Sequence, residues 1–205
     1  MNNRKKRKPE LYLVRTDIGD ELAVRKVLES LPTLGWDDEC SIPVREETRR
    51  DERGSHIDFK MLLPGCVFIK SYEPERIRKT QEMMNDLGRK AKLCRDRDWV
   101  KIEPVSIEDV RFLDSILEDN LMYVSLLDMT EENEIKSIVG PLSYCWDKIT
   151  EFDFDSRKAV ADIELFGEVR RIHFGIWGYD DPKIVWLEKK LKAKEICFLP
   201  EGCVL

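Results

Sequence analysis

The chain has 205 residues, 42% apolar and 37% charged, which is enough for one domain or two small ones under a densely charged surface. No apolar run approaches the ~20 residues that cross a bilayer. The basic start is followed by only four apolar residues, 11–14, where a signal peptide needs ~7–15, so the expected location is cytoplasmic and no membrane partner is expected.

The net charge of −6 is unevenly spread. Residues 4–8 carry +5 and residues 76–97 hold eight basic against three acidic side chains, again +5. Residues 98–135 hold two basic against eleven acidic, or −9. Screening over roughly 8 Å lets such a local basic stretch act independently of an acidic whole. The six cysteines (40, 66, 94, 145, 197 and 203) lie 26, 28, 51, 52 and 6 residues apart without a Cys-x-x-Cys pair, and the only histidines are His56 and His173. Metal sites bring ligands in close sequence pairs. The expectation is therefore free, buried thiols with no metal and no cofactor.

In chain order, residues 1–9 read as a disordered basic tail. Residues 11–14 read as a buried strand and 21–31 as a helix with Leu22, Val27, Leu28 and Leu31 on its apolar face. Residues 40–44 form a short strand, and the polar run 45–55 reads as a solvated hairpin tip or loop. Residues 66–69 form a strong strand after Pro64-Gly65. Pro74 opens a helix expected to stop at Gly88. Ser106 and Asp109 form a capping pair for a helix to about residue 117. This alternation implies an α+β domain with an antiparallel sheet.

After an acidic junction at 131–134 the pattern becomes strands only. Residues 135–139 and 149–154 are strand-like. Residues 159–166 alternate apolar and acidic side chains with period 2, and 169–176 continue with Ile172, Phe174 and Ile176 on one side. Gly167-Glu168 suits a two-residue hairpin with glycine first. Several short strands in under 60 residues imply a small closed barrel, since closure removes exposed edges. The expected division is a tail at 1–9, a first domain at 10–128, a barrel at 129–180 and an extension at 181–205.

Catalytic signatures are missing. No glycine-rich phosphate cradle or Gly-x-Ser-x-Gly is present. Both histidines are expected to be simply exposed, and no carboxylate pair stands out among 41 acidic residues. No catalytic residue is assigned.

The segments Leu11-Tyr12-Leu13-Val14 and Leu62-Leu63-Pro64-Gly65-Cys66-Val67-Phe68-Ile69 resemble the amino-terminal (NGN) domain of NusG-type transcription factors. Residues 135–142, with the run Glu-Leu-Phe-Gly-Glu-Val-Arg at 164–170, resemble the KOW domain that follows it. The likeness spans about residues 10–178 and is nearest to the LoaP-type paralogs. It implies an α+β NGN domain followed by an all-β KOW barrel in a monomeric, non-enzymatic antitermination factor.

By this resemblance the partners are bacterial RNA polymerase, through its clamp helices, a leader RNA hairpin, and non-template DNA. The polymerase would meet an exposed apolar pocket of Tyr12, Leu63, Pro64, Cys66 and Phe68, together with the triplet Arg78, Lys79 and Thr80. RNA would meet Arg76, Arg78, Lys79, Arg89, Lys90 and Lys92, with Arg49 and Lys60 joining across the sheet. Phosphate contacts of this kind weaken with salt. Cys145 and Asp147 stand where the family usually has an aromatic residue and a glycine, and Cys66 stands where a tyrosine is usual. These departures weigh against ribosome or Rho contacts by the barrel. The alternatives are a housekeeping factor coupling polymerase to ribosome or Rho, and an RNA- or ribosome-binding KOW module without polymerase contact.

Overall fold

The computed structural model describes residues 8–51, 54–90, 101–130 and 135–178. In chain order the first elements are β1 (Glu10–Arg15), α1 (Glu21–Ser30), β2 (Glu39–Ser41), β3 (Val44–Asp51), β4 (Gly54–Met61), β5 (Cys66–Ser71), α2 (Pro74–Lys90), β6 (Ile102–Pro104) and α3 (Ile107–Ile116). Then follow β7 (Leu121–Met122), β8 (Ser125–Met129), β9 (Ile135–Val139), a 3-10 helix (Pro141–Lys148), β10 (Ile149–Asp153), β11 (Lys158–Leu165) and β12 (Glu168–Gly178). The class is mixed α and β, with three sheets among the described residues. The tail before residue 8, the acidic junction, the extension at 181–205, Lys92, and Cys94, Cys197 and Cys203 lie outside the described residues. The three described cysteines, Cys40, Cys66 and Cys145, are buried free thiols.

Two compact units emerge, and the chain crosses between them more than once. The first comprises Met1–Ile42 and Leu63–Val110, the second Pro43–Leu62 and Arg111–Leu205. The expected boundary after residue 128 thus falls inside the second unit, and the hairpin 44–61 belongs there too.

In the first unit a four-stranded sheet has the order β2-β5-β1-β6, with its described pairings antiparallel. The continuous apolar run Cys66–Ile69 is buried throughout, as expected for a strand covered on both faces. Helix α1 buries Glu21, Val24 and Leu28, while Leu22 is exposed. Of the expected apolar face Leu28 and Leu31 are buried and Val27 is half-buried; Leu22 points out instead, and the Glu21 carboxylate lies inside, where the Gly19 and Gly65 N–H groups donate to it. Helix α2 runs through Gly88 to Lys90, so glycine here costs only the ~1 kcal/mol it carries in a helix interior and does not end it. Ser106 caps α3 as expected: the Asp109 N–H donates to its Oγ at 3.1 Å, and its hydroxyl donates to Asp109 Oδ2 at 2.7 Å.

In the second unit the polar run 45–55 lies in an antiparallel hairpin, one of the two expected forms, with Val44 paired to Met61 and Thr48 to Ile57; it is not wholly solvated. Alternate residues of β3 point inward although they are polar. Glu46 is fully buried and accepts the Val124 N–H at 3.0 Å, and the buried Thr48 hydroxyl donates to the Ile176 carbonyl at 3.4 Å. Ile57, Val124, Leu126 and Trp177 form a core cluster. Strand β7 extends this hairpin in parallel with β3.

The remaining sheet has the order β10-β11-β12-β8-β9 and is curled. Strand β8, expected in the first domain, pairs in parallel with β12. The closed barrel of the sequence reading is absent: β9 and β10 stand at opposite ends of the ladder among the described residues. Alternation in β11 holds, with Ala161, Ile163 and Leu165 buried against exposed Asp162 and Glu164. The β11–β12 turn centres on Phe166 (φ 57) and Gly167 (φ 76), between the paired Leu165 and Glu168. Glycine is therefore second, as in a type I′ turn, not first.

Gly175 of β12 lets two segments approach closely. A Cβ there would lie 2.7 Å from Val124 Cγ1 and 2.8 Å from the Glu46 carbonyl oxygen. Gly175→Ala is expected to destabilise the chain by about 1–3 kcal/mol through overpacking against backbone. A urea midpoint that falls with an unchanged m-value is the predicted reading.

Candidate functional site

The strand register separates the residues expected to share one pocket. Phe68 pairs with Leu13, and Tyr12 with Ile69. Successive strand residues face opposite sides, so Cys66 and Phe68 share a face with Leu13 while Tyr12 lies on the other face with Ile69. Tyr12, Leu63, Cys66 and Phe68 are each at most 5% exposed, and only Pro64 is exposed. These four are core residues, not an open docking surface. The Tyr12 hydroxyl donates to Glu10 Oε2 at 2.7 Å, so its polar tip is satisfied locally.

The Pro64-Gly65 turn is fastened from two sides. The Thr16 N–H donates to the Gly65 carbonyl at 3.0 Å. The Gly65 N–H donates to Glu21 Oε1 at 2.7 Å, and the Gly19 N–H donates to Glu21 Oε2 at 2.8 Å. Gly65 has φ +78, and a Cβ there would lie 3.1 Å from the Thr16 carbonyl oxygen. The turn holds Leu63 inward instead of presenting it. Burial pushes the Glu21 carboxyl up, but the amides of Gly65, Glu21 itself and Gly19 outweigh it, leaving its pKa below the ordinary value.

On α2 the polar triplet splits. Arg78 and Lys79 are exposed; Thr80 is buried, with its hydroxyl donating to the Arg76 carbonyl at 2.8 Å and lying 2.8 Å from the Thr33 hydroxyl. Arg78 is gripped by Glu75 at 2.6 and 3.0 Å and by Glu82. Arg76 donates to Asp37 at 2.6 Å, Asp38 at 3.2 Å and Glu73 at 3.0 Å. Hydrogen bonding to Arg76 is the main cause that lowers the Asp37 pKa. The basic character of residues 76–87 is thus cancelled locally: three cations face Glu82 and Asp86 within the stretch and Glu75 beside it. Of the +5 over residues 76–97, +4 is contributed by residues 89–97. The side chains of Arg89 and Lys90 lie outside the described part, as does that of Arg49.

Arg49 and Lys60 do not join α2 across a common sheet. They belong to the β3–β4 hairpin of the second unit. Lys60 is exposed there, near a half-buried carboxylate, Glu47, that accepts Lys158 Nζ at 2.8 Å and faces Arg45 at 3.9 Å. Burial raises the Glu47 pKa, but the Lys158 hydrogen bond and the charges of Lys158, Arg45 and Lys60 bring it below the usual value. His173, expected to be exposed, is half-buried beside this group. Desolvation chiefly, then the charge of Arg45, lowers its pKa.

The most exposed aromatic side chains had no assigned role in the sequence. In the second unit Phe152 stacks on Phe154 (centroids 5.6 Å apart, planes at 4°) and meets Trp146 at 6.2 Å. Tyr144, Trp146 and Phe154 are exposed. The signal available was their spacing at 144, 146, 152 and 154, on either side of the junction between the 3-10 helix and β10. In the 3-10 helix Cys145 is buried at φ −137, and Asp147 has no positive φ, so the segment does not need the glycine the resemblance expects. In the first unit Trp36 is 97% exposed. Among the described residues no group of three His, Cys, Asp or Glu is placed to hold a metal, and no helix is long and apolar enough to cross a membrane.

Comparison of the sequence with family models and with curated proteins found no match.

Proposed function

We propose that the chain is a non-enzymatic transcription elongation and antitermination factor of the NusG type, acting on bacterial RNA polymerase under the direction of a leader RNA. One observation carries this reading. The two segments on which the NGN resemblance rests lie side by side, β1 antiparallel to β5 from Glu10↔Ser71 to Arg15↔Cys66, while the KOW-like segments fall in a separate, curled, strand-rich unit. In this reading the polymerase contact uses exposed residues of the first unit, Pro64, Arg78 and Lys79, because the apolar set is core. The RNA contact rests on the basic stretch 89–97. The cytoplasm is the corresponding location.

The test is single-round transcription through an intrinsic terminator, with and without the native leader. The expected result is readthrough that rises only on the leader template. It should be lost in the Arg78→Ala, Lys79→Ala double variant with an unchanged melting temperature, since exposed ion pairs contribute little stability. No readthrough on either template overturns the reading.

A second reading is favoured by the aromatic surface at Tyr144, Trp146, Phe152 and Phe154. Contiguous exposed apolar groups mark interaction sites, and such a surface suits an RNA- or ribosome-binding module that acts through its second unit alone. Equal binding of RNA by the intact chain and by the double variant, without any effect on transcription, is the outcome that selects it.

A further inference from the structure

Trp36 is held out in water by a loop built to keep it there. Leaving an indole unburied forgoes one of the largest apolar gains a side chain offers, an area of roughly 150–250 Å². A slack loop would let the ring fold back onto the surface. This one is tied on both sides of the ring. The Leu34 N–H donates to the Leu31 carbonyl at 3.3 Å, and the Asp38 N–H to the Gly35 carbonyl at 3.1 Å. The Gly35 N–H donates to Asp38 Oδ2 at 2.7 Å. Arg76 reaches in from α2 to both Asp37 and Asp38, and Thr33 meets Thr80 at 2.8 Å. The guanidinium lies so close to Gly35 that a Cβ there would sit 2.0 Å from Nη1, so position 35 admits only glycine unless Arg76 moves. The loop also tolerates a cost, since Asp38 Oδ1 is buried without a partner among the described residues.

The charge around the ring is acidic. Asp37, Asp38 and Glu73, all bound to Arg76, and Glu39, set opposite Lys70 of β5, are four carboxylates against two cations, leaving a local charge of −2. Nucleic acid phosphates are repelled by such a site. A cation is attracted twice, by the carboxylates and by the π face of tryptophan, the best of the aromatic side chains for this contact. A planar guanidinium stacks on the ring where an ammonium cannot.

We propose that the 31–38 loop is a preorganised docking site, with Trp36 as anchor, for an arginine-bearing segment of a partner protein. The proposal does not depend on the transcription reading.

The test follows the indole N–H resonance of Trp36 in the full-length chain, assigned by its loss in Trp36→Phe, during titration with hexa-arginine, hexalysine or a thymidine hexanucleotide. The expected result is a saturable shift with hexa-arginine, at an affinity roughly two- to fivefold higher than with hexalysine, and no shift with the oligonucleotide. Trp36→Ala should weaken binding of hexa-arginine, measured by calorimetry, by a similar factor without altering the melting temperature. Arg76→Lys retains the charge and loses the bidentate grip. It should weaken binding while the indole remains, and heteronuclear relaxation should show residues 33–38 loosened. Equal response to hexa-arginine and hexalysine, unchanged affinity in Trp36→Ala, or a shift with the oligonucleotide each overturns the proposal, the last in favour of a nucleobase.

Discussion

Phe68→Ala is expected to lower the stability of the chain by about 3–5 kcal/mol, the cost of emptying a large buried aromatic site. Phe68 is 1% exposed. It sits in β5, flanked on one side by Leu13 of β1 and on the other by Ser41 of β2, so neither neighbour can close the space without breaking a ladder. Urea unfolding followed by far-UV circular dichroism should show the midpoint falling sharply. Phe68→Leu, which keeps most of the volume, should cost less than ~1.5 kcal/mol. Lys70→Ala, on the same strand but exposed, should stay within about 0.5 kcal/mol. An unchanged midpoint for Phe68→Ala would return Phe68 to the surface as a docking residue. The consequence for function is direct: lost activity in Phe68→Ala measures folding, and the exposed pair Arg78 and Lys79 is the cleaner probe of polymerase contact.

What was legible in the residues was whatever periodicity and local chemistry dictate. The apolar runs at 11–14 and 66–69 read as strands, and both are; that they pair with each other only the structure shows. Ser106 and Asp109 define a helix start by a bond between near neighbours. The period-2 pattern of β11 has one physical solution. The failures share a different cause, a polar group whose partner is distant in sequence. Glu46 looks like a solvated charge until Val124, 78 positions away, donates to it. Glu21 looks like the polar side of a helix until Gly65 donates to it across 44 positions. Arg76 reads as a nucleic-acid contact until Asp37 and Asp38 claim it. Composition also could not tell that Trp36 lies outside the core, because exposure there is imposed by ties to α2 rather than by local pattern. The pocket expectation came from the resemblance alone, and a list of motif positions carries neither register nor burial: Tyr12 and Phe68 lie on opposite faces of the sheet, and both are buried.

Glu21→Gln should cost about 1–3 kcal/mol at neutral pH. The fully buried carboxylate accepts one backbone N–H on each oxygen, from Gly65 and Gly19, and stands in the first turn of α1, where a negative charge is favoured. An amide can accept on one side only. Its NH₂ group then meets an N–H head-on, leaving a buried donor without a partner. Glu21→Ala removes both acceptors and should cost more. The pH dependence follows from the sign of the shift. The folded-state pKa lies below the ordinary glutamate value, so the carboxylate adds stability that is fully present above the unfolded pKa. That stability is lost as pH falls through the folded one. The stability gap between wild type and Glu21→Gln should therefore be widest at pH 7 and narrow progressively below about pH 4. Other carboxylates contribute equally to both proteins and cancel in the difference. A gap that stays constant from pH 7 to about pH 3 would mean that size and shape at position 21, not its charge, hold the Pro64-Gly65 turn against α1.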